Sequence, residues 1–183
     1  MLETSPDIIV NGEVFKVLLS EEQIQNRTKE LAIQISKDYN GKVPVFIGVL
    51  NGAFIFMADL IKNLNINCEI DFFKLSSYGD SKISSGKVKL LKELNCDVTN
   101  RDIIIVEDIV DSGLSIKFLE QIFEEHNPAS MRVVSLLMKP KSIKYDIKID
   151  YIGFNIPSKF VIGYGLDYEQ RFRNLKSIYV LNE

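Results

Sequence analysis

The chain has 183 residues, 46% hydrophobic and 26% charged, with Lys+Arg 22 against Asp+Glu 25 and a formal net charge of −3. These proportions fit one globular domain of roughly 150 residues, or one with an appendage, and exclude wholesale disorder and fibrous repeats. The mild acidity argues against a nucleic-acid binder working through a basic face, but not against a small anionic substrate held by a few local donors.

Cys68 and Cys96 lie far apart and have no CxxC partner, which matches no zinc pattern and suggests a reducing, cytoplasmic setting. The first residues carry Glu3 and Asp7 and do not read as a signal peptide. Apolar runs such as Val43–Leu50 fall far short of the roughly 18 residues that a membrane span needs, so no membrane association is expected.

Ile8-Ile9-Val10, Asn11-Gly12 and Val14–Val17 predict a hairpin, because Asn-Gly between β-prone runs favours a tight turn. Ser20-Glu21-Glu22-Gln23 reads as a capping box. The helix behind it carries Ile24, Leu31 and Ile35 on one face and ends near Asn40-Gly41. Next come a buried strand at Val43–Leu50, a helix at Ala53–Leu64 and a strand at Cys68–Leu75. The polar loop Ser76–Lys87, a strand at Val88–Leu94 and an apolar strand at Asp102–Val106 follow. A helix at Leu114–Glu125 and a strand at Met131–Met138 complete the alternation. Strands alternating with helices predict an α/β fold with a mostly parallel, twisted sheet flanked by helices. Beyond Pro140 the pieces Tyr151–Phe154, Phe160–Tyr164 and Ser177–Leu181 are short and strand-like. They are read, with the N-terminal hairpin, as a small hood lobe (about 1–19 and 151–183) over a core of about 20–150.

The chemistry concentrates in Asp102–Ser115, DIIIVEDIVDSGLS. An apolar strand reaches the acids Glu107 and Asp108, and a turn with Asp111, Ser112, Gly113, Leu114 and Ser115 leads into a helix. In open parallel sheets ligands bind beyond the carboxyl ends of the strands. Free amides at a helix start, a glycine and two hydroxyls there make a phosphate cradle. The acids suit ribose hydroxyls or water-bridged magnesium, and Asp111 could exchange a proton with a base beside the sugar. A plain helix N-cap explains one acid and one hydroxyl, but not two more acids closing a hydrophobic strand.

VEDIVDSG resembles the phosphoribosyl-pyrophosphate signature of the type I phosphoribosyltransferases, and from about Val14 to Tyr179 the chain resembles their hypoxanthine(-guanine) branch. The resemblance implies the type I phosphoribosyltransferase fold and transfer of 5-phosphoribose from phosphoribosyl pyrophosphate to a 6-oxopurine. It also implies Mg2+ as cofactor and a homodimer or homotetramer. It assigns Glu107 and Asp108 to the ribose hydroxyls, and with Asp167, which also counts among the purine-binding residues, to the metal. Asp111 becomes the general base/acid at the purine's imidazole-ring nitrogen, and Asp111–Ser115 wraps the 5-phosphate. Serines stand at 112 and 115 where many members have threonine.

Lys139 would donate to the purine 6-oxo group, which disfavours an amino group there. Phe160 would stack on the base, Val161 would meet its edge through backbone groups, and Arg173 would approach pyrophosphate. Asn51 and Gly52 occupy the pyrophosphate loop, where many relatives have lysine before glycine, and a cis bond is expected at Leu50–Asn51. Ser77 and Tyr78 match the pair in the family's closing lid.

Two rival readings keep the fold. One is a ligand-sensing, nucleic-acid-binding regulator, against which the charge balance speaks. The other is a phosphoribosyltransferase for another base, which would lack the Lys139/Phe160 hood. His126 is the only histidine and reads as a surface residue near a helix end. No GxGxxG or P-loop is present.

Overall fold

The computed structural model describes residues 7–77, 88–92 and 95–182, with backbone alone for 75–77 and 88–92. In chain order the strands are β1 (Ile8–Val10), β2 (Glu13–Leu19), β3 (Val45–Leu50), β4 (Glu69–Ser77) and β5 (Val88–Lys92), then β6 (Asp102–Val110), β7 (Ser130–Met138), β8 (Tyr151–Asn155), β9 (Val161–Ile162) and β10 (Ile178–Leu181). The helices are α1 (Glu21–Asp38), α2 (Phe54–Lys62) and α3 (Leu114–Glu125), with a 3-10 turn at Pro140–Ser142.

Among the described residues the larger sheet has the order β5-β4-β3-β6-β7-β8. Pairing is parallel from β4 through β8, and β5 runs antiparallel at the edge. Its central strands are apolar on both faces, as a covered parallel sheet requires. Phe46, Ile104 and Val106 pack toward α1 and α2 with Leu31, Ile35, Phe56 and Leu60. Ile47, Ile103 and Ile105 pack with Ile116, Leu119 and Phe123 of α3 on the other side.

The smaller sheet, β1-β2-β10-β9, is antiparallel throughout and encloses Phe15, Ile162 and Tyr179. Asn11 (φ 52°) and Gly12 (φ 83°) turn the β1–β2 hairpin as Asn-Gly turns do. At the start of α1, Ser20 Oγ accepts from the Gln23 amide at 3.2 Å while Gln23 Oε1 accepts from the Ser20 amide at 2.9 Å. That is the expected capping box.

Two expectations need correction. Tyr151–Phe154 does not belong to the small lobe: β8 extends the larger sheet, with Val134 opposite Tyr151 and Leu137 opposite Phe154. Edge and core strands of this length share one apolar signature, so sheet membership was not readable. The strand expected to end at Val106 runs on to Val110, carrying Glu107 and Asp108 within it. Buried acids read as a terminus because charge inside a sheet is costly. Here both acids open onto cavities instead.

The lid pair falls at the margin of what is described. Ser77 closes β4, so the expected loop starts later than Ser76, and Tyr78 lies outside the described residues. Among the described residues no helix is long and apolar enough to cross a membrane.

Candidate active site

β6 carries the site beyond the carboxyl end of the sheet. Its side chains alternate regularly through Ile103, Ile104, Ile105 and Val106, but Ile109 joins the α1/α2 core and Val110 the α3 core, which reverses the phase. The break falls at Glu107-Asp108, where the Ile109 amide donates to Asp108 Oδ1 at 2.9 Å. Glu107 lines a cavity of about 100 Å3 with Asp111, Ser112, Gly113, Leu114 and Ser115. Asp108 lines a neighbouring cleft of about 350 Å3 with Asn51, Gly52, Lys139, Phe160, Asp167 and Arg173. The two acids expected to act side by side therefore face adjoining cavities, and Asp111 borders both.

Burial, reinforced by the charge of Asp108, pushes the Glu107 carboxyl well above the ordinary range. Burial also pushes Asp108 up to about 6, although the Ile109 amide and the Arg173 charge oppose it.

The smaller cavity gathers two hydroxyls and the start of α3, the kind of groups that can receive an anion. Gly113 precedes α3 in a left-handed conformation (φ 86°) and, having no side chain, makes no cap bond of its own. The first-turn amides of a helix lack intrahelical partners; that of Leu114 is taken by the Ser112 hydroxyl, and those after it can serve an incoming anion. The Leu114 amide bonds Ser112 Oγ at 3.3 Å, and the Lys144 amide bonds the Ser112 carbonyl at 3.0 Å. A Cβ on Gly113 would lie 2.6 Å from Ile147 Cδ1, so the 143–149 segment shuts the back of the cradle.

In the larger cleft Lys139, 8% exposed, donates from Nζ to Asp111 Oδ2 at 2.8 Å. Phe160 is 46% exposed. Its ring makes T-shaped contacts with Phe15 (6.3 Å, 68°) and Tyr168 (5.8 Å, 84°), which fix its orientation. Val161 is buried in β9 beside it. The Leu50–Asn51 peptide bond is cis, as expected. A Cβ on Gly52 would meet Asp108 Oδ2 at 1.6 Å, so only glycine admits the carboxylate there. Arg173 pairs with Asp167 at 2.8 Å and donates to the Gly165 carbonyl at 2.8 Å.

Among the described residues every expected site position except the lid pair gathers at these two cavities. Sequence reasoning missed Tyr168, which braces Phe160, and Ile109 and Leu166, which give the cleft its apolar wall. Tyr168 directly follows Asp167, but nothing in its spacing marks an aromatic contact with Phe160.

Comparison with known proteins gives the geometry a family. Residues 17–169 match the phosphoribosyl transferase domain. The hypoxanthine-guanine phosphoribosyltransferase of Bacillus subtilis (strain 168) is 50% identical over 173 residues, 94% of this chain and 96% of that protein. A crystal structure of a hypoxanthine-guanine phosphoribosyltransferase from Bacillus anthracis superposes with a TM-score of 0.86 at 44% identity, covering 91% of this chain and 98% of the other. One of a hypoxanthine phosphoribosyltransferase from Staphylococcus aureus gives 0.86 at 43% identity, covering 91% of each. With two acids inside β6, a glycine-led helix start and a cleft lined by both a lysine and a phenylalanine, this chain belongs to the phosphoribosyl transferase family, in its hypoxanthine-guanine phosphoribosyltransferase branch.

Proposed function

We propose that the chain is a purine-salvage enzyme that transfers the 5-phosphoribosyl group of phosphoribosyl pyrophosphate to hypoxanthine or guanine, giving IMP or GMP and pyrophosphate. The observation that carries this reading is Asp111, which borders both the anion cradle and the aromatic cleft. One carboxylate that borders both compartments supports setting it between a ribose 5-phosphate and a base.

In this reading the 5-phosphate rests on the α3 amides with the Ser112 and Ser115 hydroxyls. The ribose lies against Glu107 and Asp108. The base stacks on Phe160, meets Val161 at its edge and places its 6-oxo group on Lys139. Pyrophosphate takes the Asn51–Gly52 loop and Arg173. As the anomeric C–O bond breaks, positive charge develops on the sugar, and an ionised Asp108 would stabilise it while Glu107 holds the ribose hydroxyls. Asp111 holds the proton at the base's imidazole-ring nitrogen, which requires Lys139 to leave it for the oxo group. Ser77 and Tyr78 would exclude water from the reacting sugar.

Mg2+ fits the donor set. Asp108 and Asp167 are hard oxygen donors on one cleft, and the charge of Asp167 adds to what raises the Asp108 carboxyl. Magnesium needs only one or two protein carboxylates, the rest of its shell coming from water and phosphate. Glu107, expected as a third acid, lines the other cavity, and among the described residues no trio of acidic, His or Cys side chains converges. When bound, the ion would neutralise the departing pyrophosphate.

The proposal includes a cytoplasmic homodimer or homotetramer, for which light scattering on the purified protein is the check. Steady-state kinetics on hypoxanthine, guanine, xanthine and adenine with magnesium present test the reaction itself. Pyrophosphate release with the 6-oxopurines but not adenine supports it. No release with any base, together with a shift of nucleic acid in gel titration, would favour the regulator instead.

A further inference from the structure

The hood turn that carries Asp167 and Arg173 is held in a conformation its sequence resists. Gly163 and Leu166 pair through two backbone hydrogen bonds of 3.0 and 3.1 Å, which leaves Tyr164 and Gly165 as a two-residue turn. Both have positive φ, 51° and 101°. Such a turn favours Asn-Gly, whereas tyrosine in the left-handed region crowds its own Cβ against the backbone. A residue stays in that region only where its surroundings over-determine it.

The surroundings of Tyr164 are specific. Its hydroxyl donates to Asp59 Oδ2 at 2.7 Å, where Gln25 Nε2 of α1 also donates at 2.7 Å. Lys62 holds the other carboxylate oxygen at 2.6 Å, and the Asp59 side chain is only 15% exposed. The Tyr164 amide bonds the Leu175 carbonyl at 2.8 Å. Next along the chain, a Cβ on Gly165 would sit 2.1 Å from the Gly52 carbonyl oxygen, so hood backbone rests directly on the pyrophosphate loop. Gly165 also accepts from Arg173 Nη1 at 2.8 Å and donates its amide to the Arg173 carbonyl at 2.9 Å. Asp59 lies on α2, which begins at Phe54 immediately beyond Asn51–Gly52. One helix therefore carries the loop at its start and the anchor for the hood turn further along.

We propose that Asp59 is a positioning residue for the pyrophosphate end of the site: by accepting the Tyr164 hydroxyl it seats Gly165 on the Gly52 carbonyl and keeps Asp167 and Arg173 facing the loop. The inference rests on the phosphoribosyl-transfer reading above. It makes the strut selective, because Lys139 and Ser112–Ser115 come from other segments, while Phe160 and Val161, in the same hood, are held by Phe15, Tyr168 and the pairing of β9 with β10.

The test compares Tyr164→Phe, Asp59→Ala and Asp59→Asn with the unmodified enzyme, in the forward reaction and in pyrophosphorolysis of IMP. Losing one hydrogen bond to a charged acceptor is expected to raise KM for phosphoribosyl pyrophosphate and for pyrophosphate about tenfold in Tyr164→Phe and Asp59→Ala. The KM values for hypoxanthine and IMP should change by less than about threefold, within the range of a lost neutral contact. Asp59→Asn keeps an oxygen for the tyrosine and should restore the pyrophosphate-end constants.

A lowered melting temperature with unchanged KM values would make the strut merely structural and overturn the proposal. Equal rises at both ends, or an Asp59→Asn variant as impaired as Asp59→Ala, would overturn it as well. Wild-type protein without turnover on any 6-oxopurine would instead remove the functional reading and the strut with it, an outcome distinct from active wild type with indifferent variants.

Discussion

Lys139 and Asp111 are bound to each other in the free protein, Nζ to Oδ2 at 2.8 Å across the floor of the cleft. In the proposed reaction both address the base, Lys139 its 6-oxo group and Asp111 its ring nitrogen, so base binding exchanges this ion pair for two contacts to the purine. Lysine offers only donors, and a 6-amino group would leave it buried without an acceptor. Lys139→Ala should therefore lower kcat/KM for hypoxanthine and compress the hypoxanthine-to-adenine ratio by about ten- to a hundredfold, the scale of a lost polar discrimination. An unaltered ratio of the two efficiencies would remove Lys139 from base selection.

Asp111→Asn keeps the shape and loses the proton acceptor. Turnover should fall by about 10²–10⁴, the usual contribution of a positioned acid–base group, while phosphoribosyl pyrophosphate binding measured by calorimetry stays close to wild type. Unchanged turnover would exclude Asp111 from proton transfer.

Asp108 links pH to stability and to binding. Its carboxyl titrates near 6 in the folded chain against 3.8 when unperturbed. The folded value lies above the unfolded one, so its contribution is fully present below about pH 4 and is lost as pH rises through about 6. The shift of about two units corresponds to at most about 3 kcal/mol. Asp108→Asn should then be more stable than wild type at pH 8 and similar to it at pH 3.5, by urea unfolding, while losing activity. Binding of magnesium and ribose favours the ionised form, so wild-type affinity for phosphoribosyl pyrophosphate should tighten between pH 5 and 7. A variant no more stable than wild type at pH 8 would contradict the buried-charge account.

Gly113 is left-handed and pressed against Ile147. Gly113→Ala strains the backbone and displaces the 143–149 segment, which should cost about 1–3 kcal/mol of stability and weaken binding of ribose 5-phosphate. Phe160→Ala is the contrasting case. The ring is half exposed, so thermal stability should barely move while KM for hypoxanthine rises. A large loss of stability instead would make Phe160 a core residue.

Local signals were legible wherever chemistry acts over a few residues. The Asn11-Gly12 turn, the Ser20–Gln23 box and the Leu114–Glu125 helix follow from short-range sterics and hydrogen bonding. The acid–hydroxyl turn after β6 could be read as an anion cradle because residue types and spacing alone define one. Long-range pairing was not legible. Lys139 and Asp111 are 28 residues apart, and although each stood out as a site residue, nothing in the sequence marks them as a pair. Tyr164 reaches Asp59 across 105 positions. The place of β8 beside β7 depended on which sheet had an open edge, and the opening beside Asp108 depended on a cleft walled by distant segments around Gly52, Lys139 and Arg173.

A crystal of the protein soaked with IMP tests the central claim most directly. The account predicts phosphate oxygens within hydrogen-bond reach of the Ser112–Ser115 backbone, the purine against Phe160, and its 6-oxo group on Lys139 after that lysine has left Asp111. A nucleotide bound elsewhere, with the cradle beyond β6 vacant and the Lys139–Asp111 pair intact, would contradict it.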